Sequence, residues 1–154
     1  MNQFIGLSVI DGSLSCISVS HYGDLTMSNQ QELLAANEAF YRCFEKKNLE
    51  TLAEICSHGA STICIHPGRN ALRGWENIRN SWAQIFKNTN YLEIETEIIS
   101  VEVIGNLGYV VLIEKLFQVV RGRKLAAQSM ATNIFEYMGG KWYLIHHHGS
   151  PIMK

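Results

Sequence analysis

Tyr91-Leu92-Glu93-Ile94-Glu95-Thr96-Glu97-Ile98-Ile99-Ser100-Val101-Glu102-Val103-Ile104 is the stretch whose reading decides the fold. Glu93, Glu95 and Glu97 alternate with Leu92, Ile94 and Thr96, a period of two that gives a strand one wet and one dry face. Ile98 and Ile99 then sit side by side, and the apolar set resumes at Val101 and Val103. The phase has slipped by one residue, the sequence mark of a β-bulge. Toward the C-terminus the period of two persists. Asn106 turns the chain into a strand at Tyr109–Val120, Arg121-Gly122-Arg123 turns it into Leu125–Tyr137, and Gly139-Gly140 leads to Trp142–His148. Four long strands in succession make an antiparallel meander.

On the N-terminal side the period is helical. Ser28 with Gln31 three residues later forms a capping-box start, and Leu33, Leu34, Ala36, Phe40, Tyr41, Cys43 and Phe44 predict a two-sided apolar helix over 28–47. Asn48 opens a shorter helix, with Leu49, Leu52, Ala53 and Ile55 inward and His58-Gly59 at its end. Ser61–His66 reads as a strand closed by Pro67-Gly68. Gly74 introduces a third helix whose Trp75, Ile78, Trp82 and Ile85 form one buried stripe. Helices followed by a meander predict an α+β fold, three helices of the N-terminal half packed on one face of a curved, mostly antiparallel sheet.

The composition excludes several classes. The 154 residues suit one domain, and 13 basic against 14 acidic side chains leave a net charge of −1, without the basic footprint of a nucleic-acid binder. No apolar run approaches the ~20 residues of a membrane-spanning helix. Cys16, Cys43, Cys56 and Cys64 share no C-x-x-C spacing. Scattered buried thiols of a reducing compartment are expected, hence a cytoplasmic location. The two aspartates, Asp11 and Asp24, both precede Met27. Any aspartate-dependent mechanism must therefore substitute glutamate in the domain.

Residues 1–26 differ from the rest: they contain no Lys or Arg, so Phe4–Ile10 lacks the positive flank of a secretory signal. Phe4–Ile10 and Leu14–Val19 can pair as a hairpin about Asp11-Gly12. Alternatively the segment precedes the domain proper. Its composition favours the second, giving an extension at 1–26 and a domain at 27–154.

The order of elements, with Phe40-Tyr41, His66-Pro67-Gly68, Arg73-Gly74, Thr132-Asn133-Ile134-Phe135 and the ending Gly140-Lys141-Trp142-Tyr143-Leu144-Ile145-His146-His147-His148-Gly149-Ser150-Pro151, resembles the nuclear transport factor 2-like superfamily over Ser28–Pro151. The SnoaL-like branch and the association domain of calcium/calmodulin-dependent protein kinase II are the nearest likenesses. The resemblance implies a cone-shaped domain with a pocket at its open end, and a homodimer or larger assembly through the outer sheet face.

Glu114 is the most informative candidate. It lies mid-strand between Leu112 and Leu116, where a solitary buried charge would cost several kcal/mol, about the price of an unpaired ion. It either pairs with a neighbour or faces a pocket whose apolar walls raise its pKa. In the kinase association domain the matching position carries a pocket arginine, so that domain's binding preference does not carry over. Asn133, on the adjoining strand where that domain has another arginine, is suited to orient a ligand carbonyl or hydroxyl. His146 and His148 alternate onto the face of Trp142 and Leu144, with His147 opposite. Their i, i+2 spacing suits a metal, with His66 a distant third, but no third ligand lies at short spacing. Pocket or structural histidines are expected, and neither a metal nor a cofactor. Tyr41 and Trp75 are core or pocket aromatics, and Trp82 core. Arg73 is suited to an anionic ligand at the pocket mouth or to a surface ion pair.

Three functions compete. The first is a small-molecule-binding domain whose ligand and reaction are unassigned. The second is an isomerase, cyclase or hydratase-like enzyme with Glu114 as general base and a histidine or Asn133 polarising a carbonyl, which makes Glu114, His146 and His148 the catalytic candidates. The third is an oligomerisation module similar to the kinase association domain. The resembled ketosteroid isomerases, limonene epoxide hydrolases and SnoaL cyclases use catalytic aspartates, which weakens the second. No attached domain is expected, which weakens the third. The expectation is the first, with a small molecule and a second copy as partners and neither nucleic acid nor membrane.

Overall fold

The computed structural model describes the backbone of residues 20–153 and the side chains of 28–119 and 121–153. The Asp11-Gly12 hairpin reading and Cys16 lie outside the described residues. Helix α1 (Ser20–Lys46) buries Leu33, Phe40, Tyr41, Cys43 and Phe44, the face its periodicity predicts. The Ser28–Gln31 capping box is not its start. A cap ends a helix only where the preceding residues leave helical backbone, and 20–27 contain no proline to force that. The 26/27 junction falls inside α1.

Helix α2 (Leu49–Ile55) begins where Asn48 Oδ1 accepts the Thr51 N–H at 3.0 Å. It stops at Ile55, short of His58-Gly59, because Cys56 turns extended and pairs with Leu144. Strands β1 (Ile63–Ile65) and β2 (Leu72–Arg73) follow, then α3 (Trp75–Asn88), entered through Gly74 at φ 82°. In α3, Trp75, Ile78, Trp82 and Phe86 are buried, and Ile85 packs at the margin. The meander is β3 (Tyr91–Ile104), β4 (Leu107–Val120), β5 (Arg123–Met138) and β6 (Lys141–Pro151).

The six strands form one sheet in the order β2-β1-β6-β5-β4-β3, antiparallel except for β1 beside β6. With three helices preceding the meander, the fold is α+β. The bulge read at Ile98-Ile99 is present. Ile98 lies opposite Leu112 and Ser100 opposite Val111, so Ile99 is the extra residue.

A second bulge was not anticipated, and it matters more. Ile134 lies opposite His146 while Phe135 lies opposite Leu144, so Ile145 is extra in β6. Trp142 and Leu144 face the core, but beyond Ile145 the faces exchange: His147 and Gly149 are buried while His146 and His148 turn outward. Placing His146 and His148 with Trp142 and Leu144 is therefore corrected. The adjacent apolar pair Leu144-Ile145 is the same sign that Ile98-Ile99 gave.

Candidate functional site

Three strands bring polar side chains into an otherwise apolar layer. Glu114 on β4 is 3% exposed, Asn133 on β5 0% and His147 on β6 4%. Asn133 pairs across the sheet with both Val110 and His147, and α1 lays Asn37 and Tyr41 over the same region. The side chains form one connected chain of hydrogen bonds. The Asn133 amide donates to Asn37 Oδ1 at 2.8 Å and to Tyr41 Oη at 3.0 Å. Tyr41 in turn donates to Glu114 Oε1 at 2.7 Å.

Asn133 Oδ1 lies 2.6 Å from His147 Nδ1. An amide oxygen can only accept, so the proton of the neutral imidazole sits on Nδ1 and Nε2 keeps its lone pair. That bare Nε2 is 3.9 Å from Glu114 Oε1, beyond a direct hydrogen bond. Phe40 packs on the imidazole with ring centroids 5.1 Å apart, and Phe40, Phe44 and Trp82 meet edge to face.

Beside this network is a cavity of about 180 Å³, walled by Phe44, Trp82, Leu92 and Leu116, with Glu114, His147 and His66 on its polar side. His66 follows β1, its Nε2 2.9 Å from the Ser81 hydroxyl. Burial controls the protonation of all three groups. It lifts the Glu114 carboxyl to about 7, against a smaller downward pull from the Tyr41 hydroxyl. It pushes His147 down to about 3, helped by the neighbouring histidines, and His66 to about 4, helped by the Arg69 charge. Tyr41 is raised well above its ordinary value by burial, then by the Glu114 charge. Near neutral pH His66 and His147 are uncharged, and Glu114 is present in both forms.

The structure thus brings Tyr41, Glu114 and Asn133 together and sets His66 on the same cavity. His146 and His148 stay outside, their rings 6.3 Å apart on the opposite face. Among the described residues no three His, Cys, Asp or Glu side chains are grouped to hold a metal. Trp75 is buried elsewhere, stacked on His58 at 4.7 Å. Arg73 is on the edge strand β2, where its Nε donates to Ala60 O at 3.3 Å; Arg69 lines the cavity instead. Asn37, His147 and Arg69 were missed from sequence. Only His147 carried a signal, through Leu144-Ile145.

A helix-on-meander α+β domain with a buried carboxyl group over a small cavity defines the class. The chain belongs to the SnoaL-like domain family, which matches residues 33–154, within the nuclear transport factor 2-like superfamily. A solved candidate dehydratase of the NTF2-like family from Streptomyces avermitilis is 28% identical, with a TM-score of 0.77 over 82% of this chain and 98% of that one. The association domain of C. elegans CaMKII shares the fold at 21% identity, with a TM-score of 0.65 over 82% of this chain and 98% of that one. F-box protein SKIP8 of Arabidopsis thaliana is 21% identical over 121 residues, 79% of this chain. The chain spans about half the length of that curated relative. Among the described residues no helix is long and apolar enough to cross a membrane, and Cys43, Cys56 and Cys64 are free, buried thiols.

Proposed function

We propose that the domain binds a small organic molecule in the Glu114 cavity and that Glu114 moves a proton on it, as an isomerase or dehydratase would. One observation carries this: a nearly buried carboxyl group, paired only at Oε1 among the described residues, forms part of a cavity wall. A group titrating near the working pH is both a competent base and a competent acid. Ionised Glu114 takes a proton from a carbon beside a carbonyl, and the C–H electron pair moves into that carbonyl. The protonated carboxyl then returns the proton to another carbon, or to a departing hydroxyl that leaves as water. Either way Glu114 ends ionised, as it began. His147, held neutral, accepts through Nε2 and helps orient the ligand. The similarity to a candidate dehydratase favours the second outcome. Glutamate here takes the part that aspartate plays in the resembled enzymes.

The test is hydrogen–deuterium exchange at carbon, followed by NMR across a panel of small carbonyl compounds in D2O. Glu114→Gln should slow any exchange that the wild type catalyses by about 10²-fold or more. Undiminished exchange in that variant would end this reading.

A second observation supports assembly. Ile104, Leu107, Tyr109, Val111 and Ile134 line an apolar groove of about 450 Å³ on the outer sheet face, and Ile104 is 70% exposed. Covering such a patch by a second copy makes a two-fold dimer. Light scattering should give a dimer at concentrations of tens of micromolar, in the range of ordinary dimer affinities, and Ile134→Glu should give a monomer. The free thiols fit a reducing, cytoplasmic setting, and residues 1–26 are taken as an extension of a domain at 27–154.

A further inference from the structure

We propose that the cavity takes a short organic anion, a carboxylate on a small apolar body, whose charged end is held by Arg69 at the mouth. The proposal rests on the Glu114 reading above and adds the chemical class of the substrate. Arg69 and Glu114 are the two charged side chains lining the cavity among the described residues, and they form no ion pair with each other. Arg69 has no carboxylate partner elsewhere among the described residues. A guanidinium that lines a cavity and is left unpaired is a ready anchor for a planar, two-pronged acceptor.

The Arg69 side chain is exposed, and its backbone is held by a turn. His66-Pro67-Gly68-Arg69 is a tight turn: the Arg69 N–H donates to His66 O at 3.0 Å, and Gly68 takes φ 71°. Proline second and a positive-φ glycine third are what a type II turn requires. The turn is seated on β6, since a Cβ on Gly149 would come within 2.9 Å of Pro67 Cγ. Arg69 therefore leaves a turn packed on the strand that bears His147.

Volume and lining narrow the class further. A cavity of about 180 Å³ lies below the roughly 300–1,000 Å³ of drug-sized ligand sites, which favours a small ligand. Phe44, Trp82, Ile85, Leu92 and Leu116 give the lining an apolar part that suits a hydrocarbon or aryl body, beside the polar His66, Thr89, Gln118 and His147. A single facing cation suits a monoanion better than a phosphate dianion beside Glu114. With its carboxylate on Arg69, such a ligand turns the part of its body that bears the carbonyl and the adjacent C–H toward Glu114.

Two matched pairs of probes test this: crotonate against crotonamide, and benzoate against benzamide, each titrated by ligand-observed NMR up to about 20 mM, past the millimolar affinity of so small a ligand. In the wild type at least one carboxylate should bind about tenfold or more tighter than its amide, as a charge-assisted contact provides. Arg69→Ala should erase that preference without weakening the amide, and Arg69→Lys should keep part of it. Glu114→Gln should retain it. The proposal is overturned if the amides bind as well as the acids, if neither carboxylate binds, or if the preference survives Arg69→Ala. Should Glu114→Gln abolish carbon exchange while Arg69→Ala leaves the carboxylate preference untouched, proton transfer stands and the anion site falls. The opposite pair of results keeps the anion site and removes proton transfer.

Discussion

Replacing Glu114 by Gln should make the protein more stable at neutral and alkaline pH and leave it unchanged in acid. The amide keeps the shape of the side chain and an oxygen to accept the Tyr41 proton, now 2.7 Å from Oε1. What it removes is the cost of ionising a carboxyl group that is 3% exposed. Burial raises that group from 4.5 to about 7. A folded-state value above the unfolded one means that the protonated form is favoured in the fold. Glu114 is therefore harmless below pH 4.5, and its cost grows as pH rises from 4.5 to about 7, then levels off. At about 1.4 kcal/mol for each tenfold, the full cost is about 3 kcal/mol. In a domain of this size that corresponds to a rise of about 6–12 °C in Tm for the variant at pH 8. Urea unfolding of both proteins from pH 4.5 to 8.5 measures the difference directly, because the histidines common to both cancel. Parallel curves would refute the desolvation argument. A variant less stable by ~3 kcal/mol at pH 8 would instead reveal a broken buried ion pair with His147.

Four further outcomes are expected. Asn133→Ala strips partners from Asn37 Oδ1 and His147 Nδ1 and should cost about 3–4 kcal/mol by denaturant unfolding; a loss below ~1 kcal/mol would show that the network is solvated. His66 and His147 are held at about 4 and about 3, below the ordinary 6.5, so their contribution is complete above pH 6.5 and is lost as pH falls. In the Glu114→Gln background, these two histidines should add about two protons to the uptake on unfolding near pH 5, and His66→Asn should remove about one of them. Gly149→Ala pushes a methyl group into Pro67 and should cost about 1–3 kcal/mol by thermal unfolding; full retention of Tm would show that the 66–69 turn moves freely. Deleting residues 1–26 should lower Tm by less than roughly 8 °C, equivalent to about 2–4 kcal/mol; a larger drop would make the extension part of the domain.

Local pattern was enough for most of the fold. The helical stripes, the period-two strands and the bulge at Ile99 follow from which residues must face away from water, and neighbours in the chain encode that choice. Glu114 and Asn133 were legible for the same reason: a carboxylate or amide in the middle of an apolar strand has to be satisfied by something. Which something was not legible. Tyr41 is 73 residues away from Glu114 in the chain and Asn133 is 92 away from Tyr41, and only packing of α1 on the sheet closes those distances. The choice among three consecutive histidines turned on one extra residue, Ile145, because a single slip in a period of two sends every later side chain to the other face. Arg69 rather than Arg73 reached the cavity because a proline–glycine turn seated on β6 carries it there, while Arg73 is spent on the carbonyl of Ala60 at the sheet edge. By itself the sequence determined which residues avoid water and in what rhythm. Tertiary structure decided which polar groups meet, since hydrogen bonds and desolvation depend on distances across the chain that no local pattern specifies.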